Sequence, residues 1–321
     1  MKDIARRNAS LAQLAMLLEA SAPKPGNVNR LERFSDTAYR HFLASAALAG
    51  SGFGNAARQG VRLASDRINP SEVGLGDLIL RCVRDCLQGI NRSNTVFGSI
   101  LLYVPLLTSA SAALAQESPF SITKTSSWLR RILDATTVGD TVSVYRALHI
   151  AGPKGSRNKE SPSWTDIHTR YDVDNPAVLG NIKEDSLRLI DLFRLAAPVD
   201  EISREWSEYF RLTCDEVYPM VKRESTGLDD IEEAIVKTFI WLLSRRPDGL
   251  IVRKAGAEQA EHVRRMAEDV ALRLSSESDT SQILLDLDRE LRRDGNLLNP
   301  GTTADIVSAA VFCRLLDLSF Q

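Results

Sequence analysis

The stretch TVFGSILLYVPLLTSASAALAQ, residues 95–116, carries no charged side chain, and the first charge after it is Glu117. It contains Pro105 and many serine, threonine and alanine residues, so it is less apolar than a typical transmembrane span. A helix that is apolar on every face belongs inside a protein core. We therefore predict a buried central helix here and no membrane span.

Helical periodicity continues on both sides of this stretch. Apolar residues recur at spacings of three and four, the repeat that places them on one face of a helix; examples are Leu11, Leu14 and Leu18, and further on Ile79, Cys82, Val83 and Cys86. Alternating strand patterns are scarce, and Leu250-Ile251-Val252 is the one short β-like run. The sequence predicts an all-α fold, a single large bundle-like domain over residues 1–321.

Two local predictions accompany this fold. Ser35 and Asp36 are typical of a helix start and precede an apolar helical pattern. Residues 151–181 are rich in Gly, Pro, Ser, Asn and charge, which indicates a long loop. A loop of that length in a compact domain is usually functional.

The overall composition narrows the class of protein. A formal net charge of −2 argues against a general nucleic-acid binder, because such proteins usually carry a basic excess. The four cysteines have no histidine near them at metal-ligand spacing, so we expect reduced thiols in the core of a cytoplasmic protein. The charged N-terminal residues predict no signal peptide.

The first polar cluster is Lys24-Pro25-Gly26-Asn27-Val28, which follows an amphipathic helix. Proline fixes one backbone angle, and glycine permits positive φ and close approach. A lysine in such a turn can present a cation to a phosphate. The alternative is a plain turn between helices.

The next two clusters are also compatible with anion binding. Asn94 and Thr95, followed by Gly98, precede the apolar helix, where exposed amides favour an anion, although simple N-capping explains them equally well. Arg246, Arg253 and Lys254 lie in a basic segment with two glycines. A triphosphate needs such charged donors, but a solvated turn is the alternative.

The fourth cluster runs from Asn299 and Gly301 to Asp305. Thr302 or Thr303 could cap the last helix, and an aspartate in its first turn is favoured by the helix dipole alone. Magnesium commonly takes one or two carboxylates and leaves its other positions to water and phosphate. Asp36 and Asp140 occupy comparable settings, so all three aspartates are candidate catalytic residues.

Taken together, these clusters resemble the triphosphoribosyl-dephospho-CoA synthase family over most of the chain, from about Leu11 to Leu316. The resemblance is carried by the order and spacing of five elements: Lys24-Pro25-Gly26-Asn27-Val28, Phe34–Ser45 with Asp36 and Phe42, Asn94-Thr95 with Gly98, Arg253-Lys254-x-Gly256, and Asn299-Pro300-Gly301 with Ala304-Asp305. Tyr171-Asp172-Val173 and Val142–Ile150 look more like an archaeal or methylotroph branch.

The resemblance implies an all-α enzyme that uses ATP, releases adenine and joins the triphosphoribosyl unit to dephospho-CoA or a related acceptor. The chain departs from the family pattern at Val96-Phe97, where the family usually has His-Lys after Asn-Thr. It also lacks the usual glycine-histidine run before Asp36, and His41 is out of register.

The resemblance also suggests roles for individual residues. Magnesium would be held by Asp36 and Asp305, and the triphosphate by Lys24, Arg246, Arg253 and Lys254. Asn27 and Asn94 would bind the ribose or the base. The remaining expected nucleotide contacts are Gly26, Thr95, Asn299 and Gly301.

Other functions fit the same residues. The alternatives are a related phosphoribosyl-type transferase in another pathway such as pterin biosynthesis, a non-catalytic nucleotide-binding helical protein, and an all-α di-metal site like that of ADP-ribosyl hydrolases. We expect small-molecule substrates, no nucleic acid and no membrane, and a homodimer is a possible assembly.

Overall fold

A computed structural model describes residues 2–87, 94–152, 165–274 and 281–320. Every regular element in these ranges is helical, so the all-α prediction is confirmed. The α-helices are, in chain order, α1 Lys2–Ser21, α2 Tyr39–Leu48, α3 Gly50–Ala64, α4 Leu75–Leu87, α5 Phe97–Gln116, α6 Ile122–Asp134, α7 Val138–Ala151, α8 Asp166–Arg170, α9 Val178–Glu184, α10 Leu189–Ala196, α11 Glu201–Ser207, α12 Tyr218–Glu224, α13 Ile231–Arg245, α14 Gly249–Ala255, α15 Ala257–Leu274, α16 Ser281–Arg292 and α17 Gly301–Ser319. A 3₁₀ turn, Pro70–Glu72, and a π-helical segment, Leu212–Val217, complete the set.

Helix α5 is the centre of the fold, as its uncharged sequence predicts. It packs against α1, α3, α4, α6 and α17. By length and composition alone it could cross a membrane, but 89% of its apolar 18-residue segment is buried inside the protein. At Gly60 of α3 an added Cβ would lie 2.0 Å from the Thr108 carbonyl oxygen, so the two helices approach as closely as they do because glycine has no side chain.

Two irregular or polar positions of α5 have partners on other helices. Pro105 has no N–H, so the Leu101 carbonyl four residues earlier loses its helical donor. The indole Nε1 of Trp206 donates to that carbonyl at 3.0 Å. Ser111 accepts a hydrogen bond of 3.0 Å from Asn8 on α1. These bonds allow polar atoms to lie in the core without the cost of an unsatisfied group.

Some local predictions are confirmed and others are wrong. All four cysteines are buried and reduced, as expected. The β-like run Leu250-Ile251-Val252 lies within α14, because Asp248 caps that helix through the amides of Leu250 and Ile251. This short run of leucine and β-branched residues is helical because a capping aspartate precedes it.

Two boundaries also differ from the prediction. Helix α2 begins at Tyr39, and its start is fixed by the Ala38 amide, which donates to Nδ1 of His41 at 3.2 Å, so Asp36 lies before the helix. Within the predicted loop, α8 and the first part of α9 are helical, whereas residues 153–164 lie outside the described ranges. Helix α8 is held by a short-range bond, in which the Thr165 amide donates to Nδ1 of His168.

Candidate functional site

The N-terminal ends of α5 and α17 meet, and Asp305 lies between them. The Ser99 hydroxyl, in the first turn of α5, donates a short hydrogen bond to Oδ1 of Asp305. A Cβ added at Gly98 would lie 2.1 Å from Oδ2 of Asp305, so only glycine leaves room for this carboxylate. One turn further on, the Tyr103 hydroxyl contacts Oγ of Ser308 at 2.9 Å and fixes the two helices against each other.

The carboxyl of Asp305 has an unusual proton affinity. The pKa of Asp305 is raised to about 8, chiefly by burial and also by the nearby charges of Glu19 and Asp248, although the Ser99 hydrogen bond and Arg253 act in the opposite direction. The residue nevertheless keeps some accessible surface. Within the residues that the structure describes, only Oδ1 accepts a hydrogen bond. We call this carboxyl and its surroundings the Asp305 site.

Asp305 does not lie in the first turn of α17, where the helix dipole alone would have explained an aspartate. Helix α17 begins at Gly301 with Pro300 as N-cap, so Asp305 is the fifth residue of the helix and lies beyond the first turn. Thr302 and Thr303 lie within the first turn and do not occupy the cap position that we predicted for one of them.

Lys24 does not project into solvent. Its side chain is fully buried, with Nζ 2.9 Å from Oε1 of Glu19, and it donates to the carbonyls of Glu19 and Ala22. These carbonyls belong to the C-terminal end of α1, where a cation is favoured by the helix dipole. In this structure Lys24 therefore fixes the end of α1 and neutralises Glu19.

The rest of the Lys24–Val28 turn contacts the C-terminal part of the chain. Gly26 has φ of +71° and its amide donates to Oδ1 of Asp288 at 2.8 Å. Nδ2 of Asn27 donates to Oδ1 of Asn299 at 2.9 Å. The Asn299 carbonyl in turn accepts from the Gly301 amide at 2.8 Å, at the start of α17. The first and fourth sequence clusters thus lie together.

Two more predicted residues meet in the loop before α17. Nδ2 of Asn296 donates to Oδ2 of the exposed Asp36 at 2.9 Å, and the Asn296 carbonyl accepts from Nζ of Lys254 at 3.0 Å. Asn296 in this loop therefore contacts both a carboxylate, Asp36, and a cation, Lys254.

The arginines of the basic segment have acidic neighbours. Arg246 is 3.5 Å from Glu201 and 3.7 Å from Glu216, and Arg253 is 3.8 Å from Asp200. Both guanidiniums are partly exposed, and surface pairs at such distances are weak. A polyanion could compete for them.

In the second sequence cluster Gly98 lies against Asp305, whereas Asn94 and Thr95 have other partners. Oγ1 of Thr95 is 3.2 Å from Oγ of Ser45, and Oδ1 of Asn94 accepts from the Phe97 amide. The N-cap of α5 is Val96, which makes no side-chain cap hydrogen bond, so neither Asn94 nor Thr95 occupies the cap position. Val96 is buried and Phe97 packs on the core, so apolar packing replaces the His-Lys pair of the family pattern.

Asp140 has a different position. Its Oδ2 accepts from the amide and hydroxyl of Thr137, both at 2.8 Å, and its Oδ1 accepts from the Gly76 amide at 2.8 Å. These bonds cap α7 and join it to the start of α4. Because both oxygens serve the fold, we do not assign Asp140 to the Asp305 site.

Three residues of the site were missed in the sequence. Glu19 and Ser99 belong to no motif, and their roles depend on which helix ends meet. Asp248 is buried, and its Oδ2 accepts from the amide and hydroxyl of Thr303 at 2.7 and 2.8 Å, joining α14 to α17. An aspartate directly before a Gly is a signal for capping α14, but the sequence does not show the contact with α17.

The metal prediction has limited support in the geometry. Within the described ranges, no three His, Cys, Asp or Glu side chains cluster to hold a metal ion. We therefore do not propose a di-metal centre for this protein. Burial makes the charged form of Asp305 costly, so this carboxylate would gain from a bound cation.

Comparison with known proteins gives the family of the chain. The profile of one family, CitG, described as ATP:dephospho-CoA triphosphoribosyl transferase, matches residues 5–321. A crystal structure from Archaeoglobus fulgidus, described as a candidate triphosphoribosyl-dephospho-CoA synthase, superposes with a TM-score of 0.59 at 25% identity. The match covers 86% of this chain and 98% of the other. No curated protein sequence shows significant similarity. The chain therefore belongs to the ATP:dephospho-CoA triphosphoribosyl transferase family.

Proposed function

We propose that the Asp305 site is where this chain transfers the triphosphoribosyl group of ATP to its acceptor. Family membership gives the reaction, in which the group moves from ATP to dephospho-CoA. The observation that carries the location is the Asp305 carboxyl, enclosed by two helix starts, with a pKa of about 8. A carboxyl with that pKa can hold or release a proton near neutral pH.

The chemistry of the transfer sets what the site must do. The bond between ribose C1′ and adenine breaks, and a bond between C1′ and an acceptor hydroxyl oxygen forms. The hydroxyl loses its proton, and adenine gains one as it leaves. Positive charge develops at C1′ between the two events, so a nearby carboxylate stabilises the transition state. Asp305 has the chemistry either to accept the hydroxyl proton or to face that charge.

The triphosphate requires cations and amide donors. Arg253 and Lys254 on α14 and the partly exposed Arg246 are the side chains that we assign to it. Lys24 would have to leave its ion pair with Glu19 to contact a phosphate. We therefore assign Lys24 to that pair, and its phosphate contact stays a prediction.

The linked asparagines are suited to the sugar. Asn27 and Asn299 hydrogen-bond to each other, which leaves amide donors and acceptors of both for further partners. We propose that this pair binds ribose hydroxyls. Gly26 and Gly301 bring the backbone close to it. Asn94 and Thr95 precede α5, whose Ser99 contacts Asp305.

Magnesium fits the donor set through Asp305. Burial makes the charged form of this carboxyl costly, and a bound cation would offset that cost. Asp36, exposed and anchored by Asn296, is the second carboxylate that we propose for it. Bound magnesium would neutralise the triphosphate, and the two carboxylates would orient it. Magnesium would also keep Asp305 ionised, whereas a proton-transfer role requires titration near neutral pH.

The experiment measures adenine. Purified protein with ATP, magnesium and dephospho-CoA is expected to release adenine, with the acceptor gaining the mass of a triphosphoribosyl group. Asp305→Asn is expected to lower kcat at least about 10³-fold while helical circular dichroism is kept. Asp269→Asn, an exposed residue of α15, is the control and should retain full activity.

The outcomes separate the possibilities. A fully active Asp305→Asn variant would contradict the proposed site. Adenine release with a related acceptor but not with dephospho-CoA would keep the site and change the acceptor. The pH profile of kcat then distinguishes the two roles of Asp305, since magnesium binding removes a titration near pH 8.

Assembly and location follow from weaker observations. Large apolar side chains such as Leu31 and Leu272 are well exposed and offer a surface for a second copy in a homodimer. Sedimentation equilibrium tests this. The buried, reduced cysteines support a cytoplasmic location, which fractionation of the source cells tests.

A further inference from the structure

We infer that Asp288 and Arg292 of α16 are positioning residues, which hold the backbone of the Lys24–Val28 turn so that Asn27 faces the Asp305 site. The inference rests on the proposed function. The charged pattern of α16 is typical of a surface helix. Nothing in the family pattern above includes these residues.

The two side chains form a clamp on the turn. Oδ1 of Asp288 accepts from the Gly26 amide at 2.8 Å, and both of its oxygens accept from Nε of Arg292 at 2.8 Å. Nη2 of Arg292 donates a short hydrogen bond to the Asn27 carbonyl. The peptide groups on either side of the Gly26–Asn27 peptide are thus held by one ion pair, the first through its N–H and the second through its C=O.

The clamp lies in a protected environment. The side chains of Asp288 and Arg292 are 17% and 14% exposed, so the charged hydrogen bonds are little weakened by water. The Arg292 guanidinium also lies over the Phe34 ring, 4.8 Å from its centroid. Gly26 has no space for a side chain, because an added Cβ would lie 2.6 Å from Leu291.

The same helix contains a matched pair that does not touch the turn. Asp286 and Arg289 form an ion pair of 3.1 Å, but these side chains are 60% and 71% exposed. Burial and contact with the turn, and not charge alone, distinguish Asp288 and Arg292.

The consequence is geometric. The side chain of Asn27 reaches Asn299 only while the turn keeps its orientation. When the clamp is lost, the chain still connects the same residues, but the Asn27 peptide group can rotate. A misplacement of about 1 Å in a group that orients a substrate can cost about 10²-fold in rate.

The test compares variants on α16. Arg292→Met keeps an unbranched apolar stem but removes the guanidinium donors, and Asp288→Asn keeps one acceptor but removes the charge. Each is expected to lower kcat for adenine release about 10- to 10²-fold. Arg292→Lys keeps the charge without the forked geometry and should lie between wild type and Arg292→Met. Arg289→Met is the control and should keep wild-type kcat and KM.

A double-mutant cycle with Asn27→Ala supplies a readout that a purely structural role would not move. If the clamp acts through Asn27, Arg292→Met should lower kcat much less in the Asn27→Ala background than in wild type. Equal losses in both backgrounds, or a wild-type kcat in folded Asp288→Asn and Arg292→Lys, would overturn the positioning role. If Arg292→Met does not fold, the other two variants decide.

Failure of this inference can be told apart from failure of the proposed function. Full activity of both Asp305→Asn and Asn27→Ala would reject the site itself. Loss of activity in those two, with full activity in the folded clamp variants, would reject the positioning role alone.

Discussion

Helices α5 and α7 begin with the same spacing and use it for opposite purposes. Each has an apolar residue first, glycine second and a polar residue third: Phe97-Gly98-Ser99 in α5 and Val138-Gly139-Asp140 in α7. Asp140 turns back and caps its own helix through Thr137. Ser99 instead donates to Asp305 on another helix.

The difference shows what separates a structural helix end from a candidate site. At α7 both oxygens of the Asp140 carboxylate accept hydrogen bonds from Thr137 and Gly76, so this carboxylate has its partners within the protein. At α5 the N-cap is the apolar Val96, which offers no side-chain cap. The polar third residue, Ser99, donates to the carboxyl of Asp305 on α17. A helix start that leaves its donors to other groups is the better candidate for binding an anion.

The largest difference in activity between the two helix starts is expected when the glycine at the second position of each helix is replaced by alanine. In Gly98→Ala the new Cβ would meet Oδ2 of Asp305 at 2.1 Å, so the carboxyl must move and adenine release should fall about 10²-fold. In Gly139→Ala the nearest atom is Oγ1 of Thr137 at 3.4 Å, and activity should stay at the wild-type level.

Steady-state kinetics with both purified variants tests this pair. Equal activities for the two alanine variants would show that the close approach of Gly98 to Asp305 has no bearing on the reaction.

The second prediction concerns stability against pH. The folded pKa of Asp305, about 8, is above the ordinary value, so the folded state holds an extra proton between about pH 4 and pH 8. Stability from this group is present at low pH and is lost as pH rises through that window. Without ligand, Asp305→Asn should gain about 1 to 3 kcal/mol relative to wild type between pH 5 and pH 9.

Urea unfolding of both proteins at the two pH values measures the change. Glu205, whose pKa burial raises to about 7, titrates in both proteins and cancels in the difference. A constant difference between the variant and wild type across this range would contradict an elevated Asp305 pKa.

The smallest effect is expected at the α7 cap. Asp140→Asn keeps one acceptor but loses the charge that serves three donors, so the free energy of unfolding should fall by about 1 to 2 kcal/mol. Activity per folded molecule should not change. Thermal unfolding and adenine release, measured on the same sample, test both statements, and a loss of kcat without loss of stability would return Asp140 to the candidate catalytic residues.

How much of the site could be read from the sequence depends on the distance between the interacting residues. The turn at Gly26, the Asn299–Gly301 segment and the helix of Asp305 have short sequence signals, and the structure places them together as the order of the clusters suggested. The role of Lys24 could not be read, because its partner Glu19 carries no motif and only the packing of α1 determines that the ammonium faces inward.

The sequence by itself determined the helical fold and the central position of α5. Periodicity and the absence of charge are properties of neighbouring residues, and burial of an apolar helix follows from them alone. Only the tertiary structure decided that the Asp305 carboxyl lies between two helix starts and that Asp140 caps α7. Both are aspartates near helix starts, and the difference lies in the donors around each carboxylate, which are Thr137 and Gly76 for Asp140 and Ser99 for Asp305. The contact between Ser99 and Asp305 joins residues more than 200 positions apart, and no local pattern contains it.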